Sequence, residues 1–188
     1  MTHCIAFLRA INVGGHTVKM ETLRSLFSSW KLRHVETFIA SGNVLFESGE
    51  KDLAALEQRL ERELPKALGF PVATFLRTRE EVAGIAERQP FPPALFMSAQ
   101  AFNVGFMKAP LSPEGLNLLA TLNSPVDAFH AEGRELYWLC QVKQSDSTFS
   151  NAVFERALRA QATLRGRRTL QQLADKCAIR PASRGGDA

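Results

Sequence analysis

Near the amino terminus an apolar run, Phe7-Leu8-Arg9-Ala10-Ile11, carries one arginine into Asn12-Val13-Gly14-Gly15. An arginine offers a planar fork of donors to a carboxylate or phosphate. An asparagine side chain both donates and accepts hydrogen bonds. Paired glycines let the backbone approach a ligand closely, or turn its N–H groups into a nest for an anion. Lys19 follows shortly after, and a second polar turn, Ser41-Gly42-Asn43, comes about thirty residues on. Arg9, Asn12, Gly14, Gly15, Lys19, Ser41, Gly42 and Asn43 therefore form a candidate ligand-binding set for a carboxylate, a phosphate or a backbone segment. A plainer reading stands beside it: the glycines make turns, and Asn12 and Asn43 tie the two loops together. For Arg9 a structural salt bridge or a carbonyl clamp is favoured over a ligand role.

No reaction follows from these residues. The phosphate-loop pattern G-x-x-x-x-G-K and the dinucleotide pattern G-x-G-x-x-G are both absent. Ser41 has no evident histidine partner to activate it. His16 is the one titratable side chain on the loop that suits a general base, and a solvated loop histidine is the blander assignment. Cys4, Cys140 and Cys177 are odd in number and never in C-x-x-C spacing, so buried reduced thiols are expected rather than disulfides or zinc. The four histidines are scattered, and neither a metal nor a cofactor is expected.

Charge marks a second candidate. Residues 156–188 hold 8 Lys and Arg against 2 Asp and Glu, whereas residues 1–155 hold 15 against 17. Arg165, Arg167 and Arg168 lie at the centre of this basic end and are the candidate contacts for a polyanion. A solvated helix face explains the same charges.

Hydrophobic periodicity places these residues on elements. A strand is predicted over residues 3–11, a helix over 18–30, a strand over 34–40 and a strand from Val44 to Phe46, with Ser41-Gly42-Asn43 as the turn between the last two. A helix follows over 52–68, with a stripe of Leu53, Leu56, Leu60, Leu64 and Leu68, and Pro65 kinks or tightens its last turn. The next strand is Val72–Leu76. This β-α-β-β-α-β order is the ferredoxin-like unit. Thr78 and Glu81 have capping-box form and open a short helix, and Pro90-Phe91-Pro92-Pro93 reads as a connector.

The order of elements then repeats: a strand over 102–106, a helix behind Ser112-Pro113, strands over 126–130 and 135–140, a helix over 150–160, a short strand at Thr163-Leu164, and a last helix opened by Thr169. The predicted fold class is α+β, a ferredoxin-like unit at residues 1–77, a helix and Pro-rich connector at 78–98, a second similar unit with an extra C-terminal helix at 99–178, and a disordered tail at 179–188. In such a unit the first two strands run parallel with the third between them. Their carboxyl ends share one edge, roughly 10 Å apart, so the Asn12–Gly15 loop and the Ser41–Asn43 turn become neighbours. The first helix begins on that edge, and its amino terminus favours anions.

These stretches resemble a bacterial domain-of-unknown-function family, numbered sixteen ninety-seven. The resemblance rests on Leu8-Arg9-Ala10-Ile11-Asn12-Val13-Gly14-Gly15, on Met20 and Leu23, and on Ser41-Gly42-Asn43. Gln89-Pro90-Phe91 matches an N-P-F element with glutamine for asparagine. Thr163-Leu164-Arg165-Gly166-Arg167-Arg168-Thr169 matches T-x-R-N-x-x-T with glycine for asparagine. The resemblance covers about residues 3–177. It implies an α+β fold with a ferredoxin-like N-terminal part and no activity, and it groups Arg9, Asn12, Gly14, Gly15, Ser41, Gly42 and Asn43.

Three functions follow from the residues. The first is a cytoplasmic binding protein for phosphate-bearing partners, nucleic acid ahead of a metabolite. The second is an enzyme or binder of a small anionic metabolite at the Asn12–Gly15 and Ser41–Asn43 edge. The third is a protein interaction module using Phe91, Leu95 and Phe96. The aromatic pattern of RNA-recognition modules is missing, and Phe7 and Phe46 read as core. No run is long and apolar enough for a membrane span, and no signal peptide opens the chain, which points to the cytoplasm.

Overall fold

Strand β1, Thr2–Leu8, is buried from Cys4 onward. The computed structural model describes residues 1–13 and 15–178. Gly14 and the expected tail at 179–188 lie outside the described residues. The strand stops at Leu8 rather than residue 11, because Ala10 and Asn12 turn to positive φ, 67° and 57°. Helix α1, Met20–Ser29, lays Leu23 and Phe27 on the sheet. Strands β2, Arg33–Phe38, and β3, Asn43–Ser48, form the expected hairpin. Helix α2, Leu53–Leu68, begins at Asp52, whose carboxylate accepts from the N–H groups of Ala54 and Ala55. It runs through Pro65 and ends on Gly69 at φ 82°. Strand β4 is Thr74–Thr78. The strand order β2-β3-β1-β4, all neighbours antiparallel, is that of a ferredoxin-like sheet.

Thr78 and Glu81 form a full capping box and open helix α3, Arg79–Glu87. The proline-rich stretch folds into a short helix, α4, Pro93–Ser98, since proline suits the first turn of a helix. The second unit follows: β5 (Ala101–Met107), α5 (Pro113–Thr121) behind the Ser112 cap, β6 (Asp127–Glu132), β7 (Glu135–Cys140), α6 (Asn151–Leu158), β8 (Ala162–Gly166) and α7 (Arg167–Ala178). Its order, β6-β7-β5-β8, repeats that of the first sheet. The short last strand is a full partner of β5, and the last helix begins at Arg167, ahead of Thr169.

Alternation along β1 and β5 makes two faces. Cys4, Ala6 and Leu8 face α1 and α2, while Ile5 and Phe7 face the second sheet. Across the gap Phe102, Val104 and Phe106 face back, and Phe7 stacks on Phe106 with ring centroids 3.9 Å apart. Val82 and Ile85 of α3 and Leu170 and Leu173 of α7 complete this middle core. Phe154 of α6 and Leu119 of α5 cover the far face of the second sheet. The layers are therefore helices, sheet, sheet, helices, with the inner faces of both sheets closed by each other and by α3 and α7. Among the described residues no helix is long and apolar enough to cross a membrane.

The duplication reaches single residues. Aligning β1 with β5 pairs Phe7 with Phe106 and Leu8 with Met107. Aligning β4 with β8 pairs Arg77 with Arg165. Asn43 and Glu135 then correspond, each opposite its central phenylalanine.

Candidate functional site

The loop after β1 and the β2–β3 turn meet at one rim of the first sheet. The N–H of Leu8 donates to the carbonyl of Gly42 at 2.8 Å. Asn12 donates through Nδ2 to the carbonyl of Ala40 at 2.9 Å, and its Oδ1 accepts from the N–H of Val18 at 2.7 Å. Asn43 donates through Nδ2 to the Phe38 carbonyl and to Ser41 Oγ, at 3.1 and 3.0 Å. Both asparagines thus shape the rim, and their hydrogen-bonding groups are already engaged. Gly42, at φ 74°, has no room for a side chain: a Cβ there would lie 3.0 Å from Ile11 Cβ and 3.1 Å from Leu8 Cβ. Gly15, at φ 87°, is exposed, with nothing within 4 Å of its Cβ position.

Backbone in the left-handed region gathers here: Ala10, Asn12, Gly15, Ile39 at φ 49° and Gly42. Ile39 is the telling member, because a β-branched side chain is a genuine outlier at positive φ. It is 49% exposed, and Val13 of the β1–α1 loop is 59% exposed. Lys19 is exposed at the N-cap of α1, where no side chain caps the free N–H groups, and Glu21 occupies the first turn. His16 is exposed and stacks on Phe70, with ring centroids 4.1 Å apart.

Arg9 turns away from the rim. It forms a forked pair with Glu155 of α6, Nη1 to Oε1 and Nη2 to Oε2, and so joins the two units. Lys108, its counterpart after β5, reaches back to Glu57 and Glu61 of α2.

The basic end divides. Arg165 is no surface contact: burial turns it inward beneath the rim. Its Nε donates to Asn43 Oδ1 at 2.6 Å, and its Nη2 to the carbonyls of Leu8 and Ser41 at 2.9 and 2.8 Å. Its Nη1 meets Thr163 Oγ1 and the Leu164 carbonyl. Burial pulls this guanidinium down from 12.5 to about 10, which leaves it charged at neutral pH. Arg167 lies over the Phe96 ring at 4.6 Å, with its Nε buried and without a hydrogen-bond partner. Arg168 is exposed, as are Arg156 and Arg159. The rim and the basic end, separate in sequence, are therefore joined through Arg165.

Arg77 repeats this arrangement at the other unit, donating to Glu135 Oε1 at 2.6 Å and to the Met107 and Arg134 carbonyls. Sequence reasoning missed it, although Leu76-Arg77 and Leu164-Arg165 are matching dipeptides at matching strand ends. It also missed a small cavity of about 40 Å³ at the opposite edge of the first sheet. There His3 Nδ1 and His34 Nε2 flank the Glu47 carboxylate at 3.6 and 3.9 Å, beside the Glu36–Lys176 pair. These residues come from separate strands and α7, and no local pattern joins them. Among the described residues no group of three His, Cys, Asp or Glu side chains is placed to hold a metal. The three thiols are buried and free, and burial pushes Cys4 up to about 12. Phe91 and Phe96 pack edge-on against Phe102 inside the molecule.

A family model described as a protein of unknown function, DUF1697, matches residues 1–137. The chain belongs to the DUF1697 family. The match spans the rim and Arg77 and ends before Arg165. A solved structure of the conserved bacterial protein SP0830 from Streptococcus pneumoniae is similar, with a TM-score of 0.75 and 22% identity, over 95% of this chain and 99% of that one. That likeness concerns the fold. No curated protein matches the chain.

Proposed function

We propose that this DUF1697 chain is a binding protein for a small phosphate-bearing ligand, held at the rim formed by the β1–α1 loop and the β2–β3 turn. The observation that carries this reading is the cluster of left-handed residues ending in an exposed Ile39. The non-glycine members, Ala10, Asn12 and Ile39, each cost on the order of 1–3 kcal/mol, and strained residues of this kind gather at ligand clamps. The chemistry around the cluster suits an anion: Lys19, the N–H groups of the first turn of α1, and an exposed Gly15 backbone. Val13 and Ile39 would cover an apolar part of the ligand.

Thermal unfolding in a series of inorganic phosphate and nucleoside phosphate concentrations tests it. Specific binding raises the midpoint with the logarithm of ligand concentration once that exceeds the dissociation constant, by mass action. Asn12→Ala and Lys19→Glu should remove the rise, and an equal rise in both variants rules the rim out.

Nucleic acid is the second reading, supported by the exposure of Arg156, Arg159 and Arg168. It predicts oligonucleotide affinity that falls steeply with salt and weakens when those three are changed together. The closed inner faces of the sheets leave this mode to the helices.

A further inference from the structure

The two buried arginines occupy equivalent places, but their surroundings differ in charge. Arg77 donates to the carboxylate of Glu135, and that ion pair neutralises it. Arg165 meets Asn43 in the corresponding position, and its other acceptors are three carbonyls and one hydroxyl. Among the described residues no carboxylate lies within ion-pair distance of Arg165. The other cation at the end of β1, Arg9, is neutralised by Glu155. A full positive charge is therefore buried directly beneath the Ser41–Asn43 turn, where low dielectric strengthens its field. An unpaired buried charge is costly to maintain, and the second unit shows that this fold accommodates the compensated version.

We infer that Arg165 is the electrostatic and positioning residue of the rim. Contributed by the second unit, it holds the turn against the end of β1 and supplies the positive potential that selects an anion. This inference rests on the rim reading and deepens it: the ligand class follows from the uncompensated guanidinium rather than from Lys19 alone. The second unit's equivalent rim, over Arg77 and Glu135, should have no such preference.

The test adds a carboxylate to Arg165 without removing it. Asn43→Asp reproduces the Arg77–Glu135 arrangement. Thr163→Asp does so from the opposite side, where Thr163 Oγ1 already lies 2.8 Å from Nη1, and leaves the rim's own groups intact. Both should weaken inorganic phosphate binding on the order of tenfold or more. Thr163→Asp should keep or raise the thermal midpoint, whereas Asn43→Asp also loses the Nδ2 donations to Phe38 and Ser41. A purely structural Arg165 predicts unchanged phosphate binding in Thr163→Asp, and that result overturns the inference.

A ligand-free readout separates it from the rim proposal. Hydroxide-catalysed amide exchange is faster in a positive potential, so exchange at Val13 and Gly15 should slow several-fold in both variants. Slowed exchange without phosphate binding to any form would defeat the rim reading and uphold the electrostatic role. Unchanged exchange defeats the role whatever phosphate does. If Asn43→Asp fails to fold, Thr163→Asp carries both readouts.

Discussion

Gly42→Ala should be far more damaging than its one added methyl suggests. The residue sits at φ 74°, where a Cβ costs about 1–2 kcal/mol. The new carbon would also lie 3.0 Å from Ile11 Cβ and 3.1 Å from Ile11 Cγ1 and Leu8 Cβ. Those atoms cannot swing aside, since Ile11 and Leu8 are buried and the Gly42 carbonyl is bonded to the N–H of Leu8. Overpacking of this kind costs roughly 1–3 kcal/mol more. Loss of unfolded-state freedom returns about 0.4–1 kcal/mol. The net cost is about 2–4 kcal/mol. For a chain of 188 residues that lowers the midpoint by roughly 4–16 °C. Gly15→Ala is the internal control: φ is 87°, but nothing lies within 4 Å of the new methyl. It pays the conformational cost alone, about 1 kcal/mol or less after the same unfolded-state gain. Urea unfolding of the two variants, with unchanged slopes, isolates the packing contribution as their difference. Equal destabilisation of both would refute the close approach of the turn to β1, and with it the construction of the rim.

Other predictions follow from the interface and the thiols. Phe106→Ala removes a ring stacked at 3.9 Å on Phe7 in the middle core, and should cost about 3–5 kcal/mol in urea unfolding. Arg9 and Glu155 form a forked, half-buried pair across the two units, so a double-mutant cycle of Arg9→Met and Glu155→Gln should show a coupling of about 1 kcal/mol. Because Cys4, Cys140 and Cys177 are buried and their thiols are pushed up, an aromatic disulfide reagent should label them only as fast as the protein opens. Cys4 carries a linkage consequence of definite sign. It is raised from 9.0 to about 12, so its contribution is full below pH 9 and is lost as pH rises towards 12, and Cys4→Ala should flatten that alkaline decline.

Much of this fold is written in local patterns. The leucine stripe of α2, the Thr78–Glu81 capping box and the Ser112-Pro113 start of α5 lie where side-chain spacing puts them, and β-α-β-β-α-β order leads to the sheet topology. Local chemistry is blind where tertiary structure decides. β1 ends early because Ala10 and Asn12 are held left-handed by the rim, not because its apolar run ends. α7 begins ahead of its apparent cap, and the short stretch at Thr163-Leu164 becomes a full strand because β5 offers a complete edge. The adjacency of the Asn12 loop and the Ser41–Asn43 turn was accessible through strand connectivity. The direction of Arg165 was not. A run of arginines near a chain end reads as surface charge, and only its acceptors on Leu8, Ser41 and Asn43 reveal a buried position. The duplicated arginine was visible in the paired Leu-Arg dipeptides once the two sheets could be superposed strand on strand.

A phosphate titration followed residue by residue in amide NMR spectra tests the rim as a binding site. Binding at the rim predicts saturable shifts confined to residues 10–21 and 39–43, with a smaller response at Arg165 and none near Arg77 and Glu135. Saturable shifts confined to Arg156, Arg159 and Arg168, or no saturable shift anywhere, would contradict it.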